Sequence, residues 1–133
     1  MAETGTTWSV TGQGQLEALL KPFGTIRHHG DYGPSLRVSE VELRRGRPGP
    51  VNYHERSTEF AYLAAGEAYC FVDGEIRFLT AHTAVFLPPG TSHGFKAVSR
   101  TATLLVVHTP FVPAGEDHVP VRDDFDIPND QGR

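Results

Sequence analysis

Residues 59–79 read Glu59-Phe-Ala-Tyr-Leu-Ala-Ala-Gly66-Glu-Ala-Tyr-Cys-Phe-Val-Asp73-Gly74-Glu-Ile-Arg-Phe-Leu79. Their texture predicts strands: Glu59–Ala64 and Ala68–Val72 alternate bulky and small side chains, and Ile76–Leu79 returns after Asp73-Gly74. An Asp-Gly pair between two such runs is a strong two-residue hairpin signal of the I′ type. Ala84–Leu87, Phe95–Val98 and Ala102–His108 continue the pattern, with Ala81-His82-Thr83 and Pro88-Pro89-Gly90 as turns. Strand candidates spaced about 8–12 residues apart predict an all-β sandwich or barrel.

The flanks are expected to be simpler. Leu36 and Val38, then Val41 and Leu43, form a half-buried strand with a change of phase near Ser39-Glu40, which predicts a bulge there. Gly46 to Pro50 is a turn that feeds the stretch Val51–Glu55. Leu16, Leu19, Leu20 and Phe23 recur at helical spacing until Pro22 and Gly24 stop them, so residues 1–34 are expected to be an N-terminal segment with one short helix. Residues 113–133 hold six carboxylates against two arginines and are expected to close the domain and continue as a solvated acidic, proline-containing tail.

The chain has 133 residues, the size of one domain, and glycine and proline together make 24 of them. That is about 18% against a usual ~12%, which disfavours long helices. Twelve Lys and Arg face sixteen Asp and Glu, a formal charge of −4, and no basic run exceeds Arg44-Arg45-Gly46-Arg47. Nucleic-acid binding has no electrostatic support. No apolar run reaches the ~20 residues of a membrane span. A single cysteine, Cys70, and an N-terminus without signal-peptide character point to a cytoplasmic protein.

Seven histidines are the notable excess. His28 and His29, in a polar loop, and His118, in the tail, are expected at the surface. His54 and His93 each stand where a strand meets a turn. Asn52 and His54 share one strand face, and Glu59 converges on them only if residues 56–58 bend the chain. Two imidazoles, a carboxylate and an amide oxygen make a plausible shell for a divalent transition metal. Without a metal, His54 and Glu59, or Asn52 and His93, would have to hydrogen-bond directly.

These residues resemble the cupins. The first cupin motif is Gly, five residues, His-x-His, three or four residues, Glu, six residues, Gly; here His54, Glu59 and Gly66 keep its later spacing. The second is Gly, five residues, Pro-x-Gly, two residues, His, three residues, Asn; here Pro88, Gly90 and His93 keep its centre, with fifteen residues between Gly66 and His82. Asn52 stands where the family has its first histidine, His82 replaces the opening glycine and Ala97 the closing asparagine. His82 is thereby expected at a turn position that favours positive φ.

The resemblance implies a cupin-type double-stranded β-helix, or jelly-roll barrel, over residues 35–112. It implies a mononuclear enzyme holding one divalent metal, iron first and manganese, nickel or zinc after it, on Asn52, His54, Glu59 and His93. Ala61, Leu63, Ala68, Cys70, Val85 and Phe95 are expected to line a pocket for a small organic molecule. His108 either donates to the ligand or caps its strand, and Cys70 is read as a small buried hydrophobe before a reactive thiol.

Oxygenase chemistry and metal-assisted lyase, isomerase or cyclase chemistry both remain open. The run Glu59-x-x-Tyr62-x-x-x-Gly66-Glu67-Ala68 and the stretch from Pro110 through Gly115-Glu116-Asp117-His118 are faintly similar to ectoine synthases, small cupin hydro-lyases. Val85 stands where their tyrosine ligand would be. A non-enzymatic ligand sensor and a metal-free sugar-nucleotide isomerase or epimerase are the alternatives. Tyr62, Tyr69 and Phe71 form an outward aromatic face that the N-terminal segment or a second subunit is expected to cover, and a homodimer is favoured.

Overall fold

A computed structural model describes residues 8–31 and 35–127; the remaining parts of the expected terminal segments lie outside the described residues. Among the described residues eleven strands run in chain order: β1 (Leu19–Lys21), β2 (Gly24–Asp31), β3 (Arg37–Arg44), β4 (Val51–His54), β5 (Thr58–Ala65), β6 (Ala68–Val72), β7 (Glu75–Leu79), β8 (Thr83–Leu87), β9 (His93–Ala97), β10 (Thr101–Thr109) and β11 (His118–Arg122). They form an antiparallel six-stranded sheet, β1-β2-β3-β10-β5-β8, and an antiparallel five-stranded sheet, β11-β4-β9-β6-β7. The protein is all-β, with the jelly-roll arrangement of a cupin barrel.

Period-2 alternation fills the space between the sheets. Glu59, Ala61 and Leu63 of β5 turn inward while Phe60 is exposed, and Ala68 and Cys70 of β6 turn inward. They meet Val41, Leu43, Leu87, Leu104 and Val106 in one continuous core. The β6–β7 hairpin turns at Asp73 (φ 45°) and Gly74 (φ 89°), the two left-handed residues a type I′ turn requires. His82 adopts φ 73°, as its replacement of a turn glycine predicts. Its backbone N–H donates to the Leu63 carbonyl at 2.6 Å, and its Nδ1 lies 3.0 Å from the Tyr62 hydroxyl.

Three readings of the flanks are corrected. Leu16 to Phe23 form no helix: a single 3-10 turn, Gln13–Gln15, precedes β1, because sheet pairing with β2 overrides a two-turn apolar repeat that Pro22 cuts short. Residues 27–30 are strand β2 rather than loop. His28 and His29 are half-buried there, His28 Nδ1 2.7 Å from Ser39 Oγ and His29 Nε2 2.6 Å from Glu40 Oε2. The expected bulge lies in β2, between His28 and Gly30, while β3 runs unbroken with Ser39, Val41 and Leu43 all inward. The polar Ser39 only looked like a phase change; it is buried because His28 satisfies it.

The C-terminal segment adds a strand to the fold. One helical turn, α1 (Ala114–Asp117), leads into β11, which pairs with β4. Phe125 beyond it is 1% exposed. Its ring sits over the backbone of Gly49 and Gly94, where an added Cβ would stand 2.7 Å and 3.3 Å from it. It also lies 5.4 Å from the Phe71 ring, and Arg122 stacks on Phe71 at 5.0 Å. This chain's own C-terminal segment therefore covers Phe71, one of the three aromatic residues expected on an outward face. Among the described residues no helix is long and apolar enough to cross a membrane.

Truncating this anchor tests its place in the core. Phe125→Ala is expected to lower unfolding free energy by about 3 kcal/mol or more, measured by urea denaturation; a loss under about 1 kcal/mol would return the segment to the status of a tail.

Candidate metal centre

Strand register assembles the site. In the six-stranded sheet His108 lies directly opposite Glu59; in the five-stranded sheet Asn52 pairs with His93 and His118 with His54. Facing across the barrel, these pairs bring three imidazoles to one carboxylate oxygen. Glu59 Oε1 is 2.9 Å from His108 Nε2, 3.1 Å from His93 Nε2 and 3.3 Å from His54 Nε2. His54, Glu59 and His108 offer ligand atoms within 4.8 Å of one another.

The other ring nitrogens are tied down. His93 Nδ1 lies 2.8 Å from the Thr91 carbonyl, which only accepts, so this nitrogen carries the proton. His54 Nδ1 lies 3.1 Å from Asp117 Oδ2. Asp117, 3% exposed, also accepts from the backbone N–H of Arg56 at 2.6 Å and of Ser57 at 3.2 Å, while its own carbonyl accepts from Glu55 N–H at 2.9 Å. Burial acts to raise the Asp117 pKa, but those donated bonds overcome it and hold the carboxyl below its usual range. An ionised Asp117 fixes the proton of His54 on Nδ1 and turns the Nε2 lone pair inward.

A conflict follows. With Nδ1 protonated, a neutral His54 or His93 aims an acceptor at Glu59, which is itself an acceptor. Only a shared proton or a cation at the focus of the cluster reconciles them. Glu59 is 5% exposed; burial acts to raise its pKa, and the three imidazole contacts outweigh this and hold it well below the carboxylate range. For His93 burial works downward, and contact with Glu59 outweighs it and raises the imidazole. The direct His54–Glu59 contact expected of a metal-free pair is thus present, but as one of three. A set of neutral nitrogens and one carboxylate oxygen, with ring orientations fixed from behind, fits a divalent transition metal.

A cavity of about 200 Å³ opens beside the cluster, with Asn52, His54, Glu59, His93, His108 and His118 on its lining. Asn52, expected as a ligand, lines this cavity beside His93. Of the six residues expected along the pocket wall only Phe95 is there. Ala61, Leu63, Ala68 and Cys70 are at most 1% exposed and belong to the core, and Val85 packs on that core from its edge. The cause is barrel closure: β2, β3 and β10 cross the space in front of the ligands, whereas inward residues of β5 and β6 beyond Glu59 meet each other. Cys70 is pushed up to about 12 by burial and by the Glu59 charge, so its thiol stays protonated.

Sequence reasoning left His108 open between two roles and missed Asp117 as the partner of His54. His118, expected at the surface, is exposed but stands at the cavity mouth, its ring 5.6 Å from that of His54. The adjacency Asp117-His118 after a proline-rich turn was the available signal. Nothing local says that β11 returns to β4.

Comparison with known proteins bears on the family and the fold. The family model described as Cupin domain matches residues 39–108, more than half of the chain. A mannose-1-phosphate guanylyltransferase of Salmonella montevideo is 25% identical over 89 residues, 67% of this chain; the chain spans 19% of that protein's length. A variant of Streptomyces Pac13 with uridine superposes with a TM-score of 0.78 at 19% identity, covering 90% of this chain and 94% of that one. Pac13 is described as a nucleoside dehydratase. KdgF from a Halomonas species gives a TM-score of 0.74 at 23% identity, covering 82% of this chain and 99% of that one. At these identities the likeness is one of fold.

The coupled cluster sets a pH profile for chelator-treated protein. Glu59, lowered on folding, contributes stability above its unfolded value near ~4.3 and loses it as pH falls through the folded value. His93, raised on folding, contributes fully below ~6.5 and loses it as pH rises through its folded value. The melting temperature is expected to peak between these limits and to fall on the alkaline side; a flat profile from about pH 6 to 9 would remove the shared proton.

Proposed function

The chain belongs to the cupin-domain family, and on that premise we propose that it is a mononuclear metalloenzyme acting on a small organic molecule by lyase or isomerase chemistry. One observation carries the reading: three Nε2 atoms converge on a single Glu59 oxygen while Asp117 and Thr91 tie two of the rings from behind. His54, Glu59, His93 and His108 would hold the ion, with Asn52 beside them. When bound, a divalent ion supplies a Lewis acid that polarises a carbonyl or carboxylate oxygen.

The chain's own residues account for the rest. Asp117 keeps the proton of His54 on Nδ1, and Thr91 does the same for His93. His118 stands at the mouth, outside the Glu59 contacts, where partial burial and then nearby His54 and His93 hold its pKa below the ordinary value. A neutral imidazole there suits the uptake of a proton from a substrate carbon or hydroxyl. That disposition favours elimination or isomerisation over oxygenation. The description of Pac13 as a dehydratase supports the same class. A homodimer remains part of this proposal, with exposed Phe60, Phe86 and Leu105 as the surface it would cover.

Protein purified without chelator, or loaded with iron, manganese, nickel or zinc, is expected to retain about one ion per chain by elemental analysis. His108→Ala is expected to lose most of it, and retention is expected to fall below about pH 6 as the imidazoles protonate. Absence of stoichiometric metal after all four loadings would sink the reading. Asp117→Asn, which keeps the side chain's shape but cannot hold an ionised partner behind His54, is expected to weaken metal retention by roughly 10–100-fold. Unchanged retention would make Asp117 a purely structural anchor.

A further inference from the structure

The cavity is divided in polarity. Every side chain that can bond to an oxygen lies at one end, on β4, β9, β11, the start of β5 and the end of β10. The wall contributed by β2, β3 and β10, with Phe23 from the turn before β2, is Phe23, Ile26, Val41, Leu43, Leu104 and Val106. Its backbone offers nothing further, because β3 is hydrogen-bonded on both sides, to β2 and β10, and β10 likewise to β3 and β5. A hydroxyl pressed against this wall gives up water without gaining a partner, at a cost of about tenfold in affinity for each. The cavity, at about 200 Å³, is also smaller than the ~300–1,000 Å³ of drug-sized pockets.

We propose that the substrate is a small molecule with two unlike ends: a head bearing a carboxylate with an adjacent hydroxyl or carbonyl, which reaches the His54–Glu59–His93–His108 cluster, and an apolar aliphatic or aromatic body, which lies along β2, β3 and β10. Polyhydroxylated bodies, such as those of sugar acids, are the class the wall rejects. The inference rests on the metalloenzyme reading for its head, while its body follows from the wall alone.

Calorimetric titration with 2-hydroxyhexanoate, 3-phenyllactate and gluconate tests it. The first and third share a six-carbon skeleton and the same head and differ only in the hydroxyls of the body. Titrations are run on Fe(II)-loaded protein under nitrogen and on chelator-treated protein. Both apolar-bodied acids are expected to bind at least about tenfold more tightly than gluconate in both forms, and more tightly with iron than without. Ile26→Thr and Val41→Thr, two variants checked for folding by thermal melts, are expected to shrink the preference severalfold.

Gluconate binding as tightly as 2-hydroxyhexanoate, failure of all three acids to bind, or a preference unchanged in both folded variants would overturn the proposal. An intact preference with affinities indifferent to iron would instead overturn the metalloenzyme reading and leave the apolar body in place.

Discussion

A carboxylate surrounded by ring nitrogens that cannot all donate to it is the constraint around which this barrel is organised. Glu59 is buried, three Nε2 atoms lie within 3.3 Å of one of its oxygens, and two of the rings already spend their proton on Thr91 and Asp117. A protein interior tolerates acceptors facing acceptors only where something positive sits between them. The strands around the site serve that requirement. Register opposes Glu59 to His108, Asn52 to His93 and His54 to His118, so a one-residue slip in either sheet would turn half of the set out of the barrel.

The same arrangement divides labour between the sheets. Central strands β3 and β10 give the six-stranded sheet a wall with no spare hydrogen-bonding capacity, and the five-stranded sheet carries most of the imidazoles. Polarity in the cavity is therefore a property of strand order as much as of composition. Ser39 shows how this is kept: a polar residue buried on the inner face of β3, it is matched by His28 across the ladder.

Much of this was legible in the chain because short-range chemistry writes it. Asp73-Gly74, Pro88-Pro89-Gly90 and the alternation through β5 and β6 are local, and they set strands β5 to β10 within a residue or two. The motif spacings around His54, Glu59 and His93 likewise singled out three of the four side chains that meet. What was illegible depends on pairing between distant segments. Leu16 to Phe23 has a helical rhythm that loses to a sheet edge, and His28 and His29 look like loop until β3 pairs with them. Asp117 looks like one more tail carboxylate until β11 folds back beside β4. The pocket wall was misread for the same reason: alternation says which residues face inward, and closure of the barrel decides which of those meet a ligand and which meet each other.

The contact between Asp117 and His54 joins positions 63 residues apart, and the anchoring Phe125 comes later still. The ligand candidates lie on strands β4, β5, β9 and β10, whereas the carboxylate that orients His54 lies in α1, outside all of them. The tautomer of His54 therefore answers to how α1 and β11 dock on β4, and a substitution that loosens that docking would disturb the centre while leaving every ligand candidate in place.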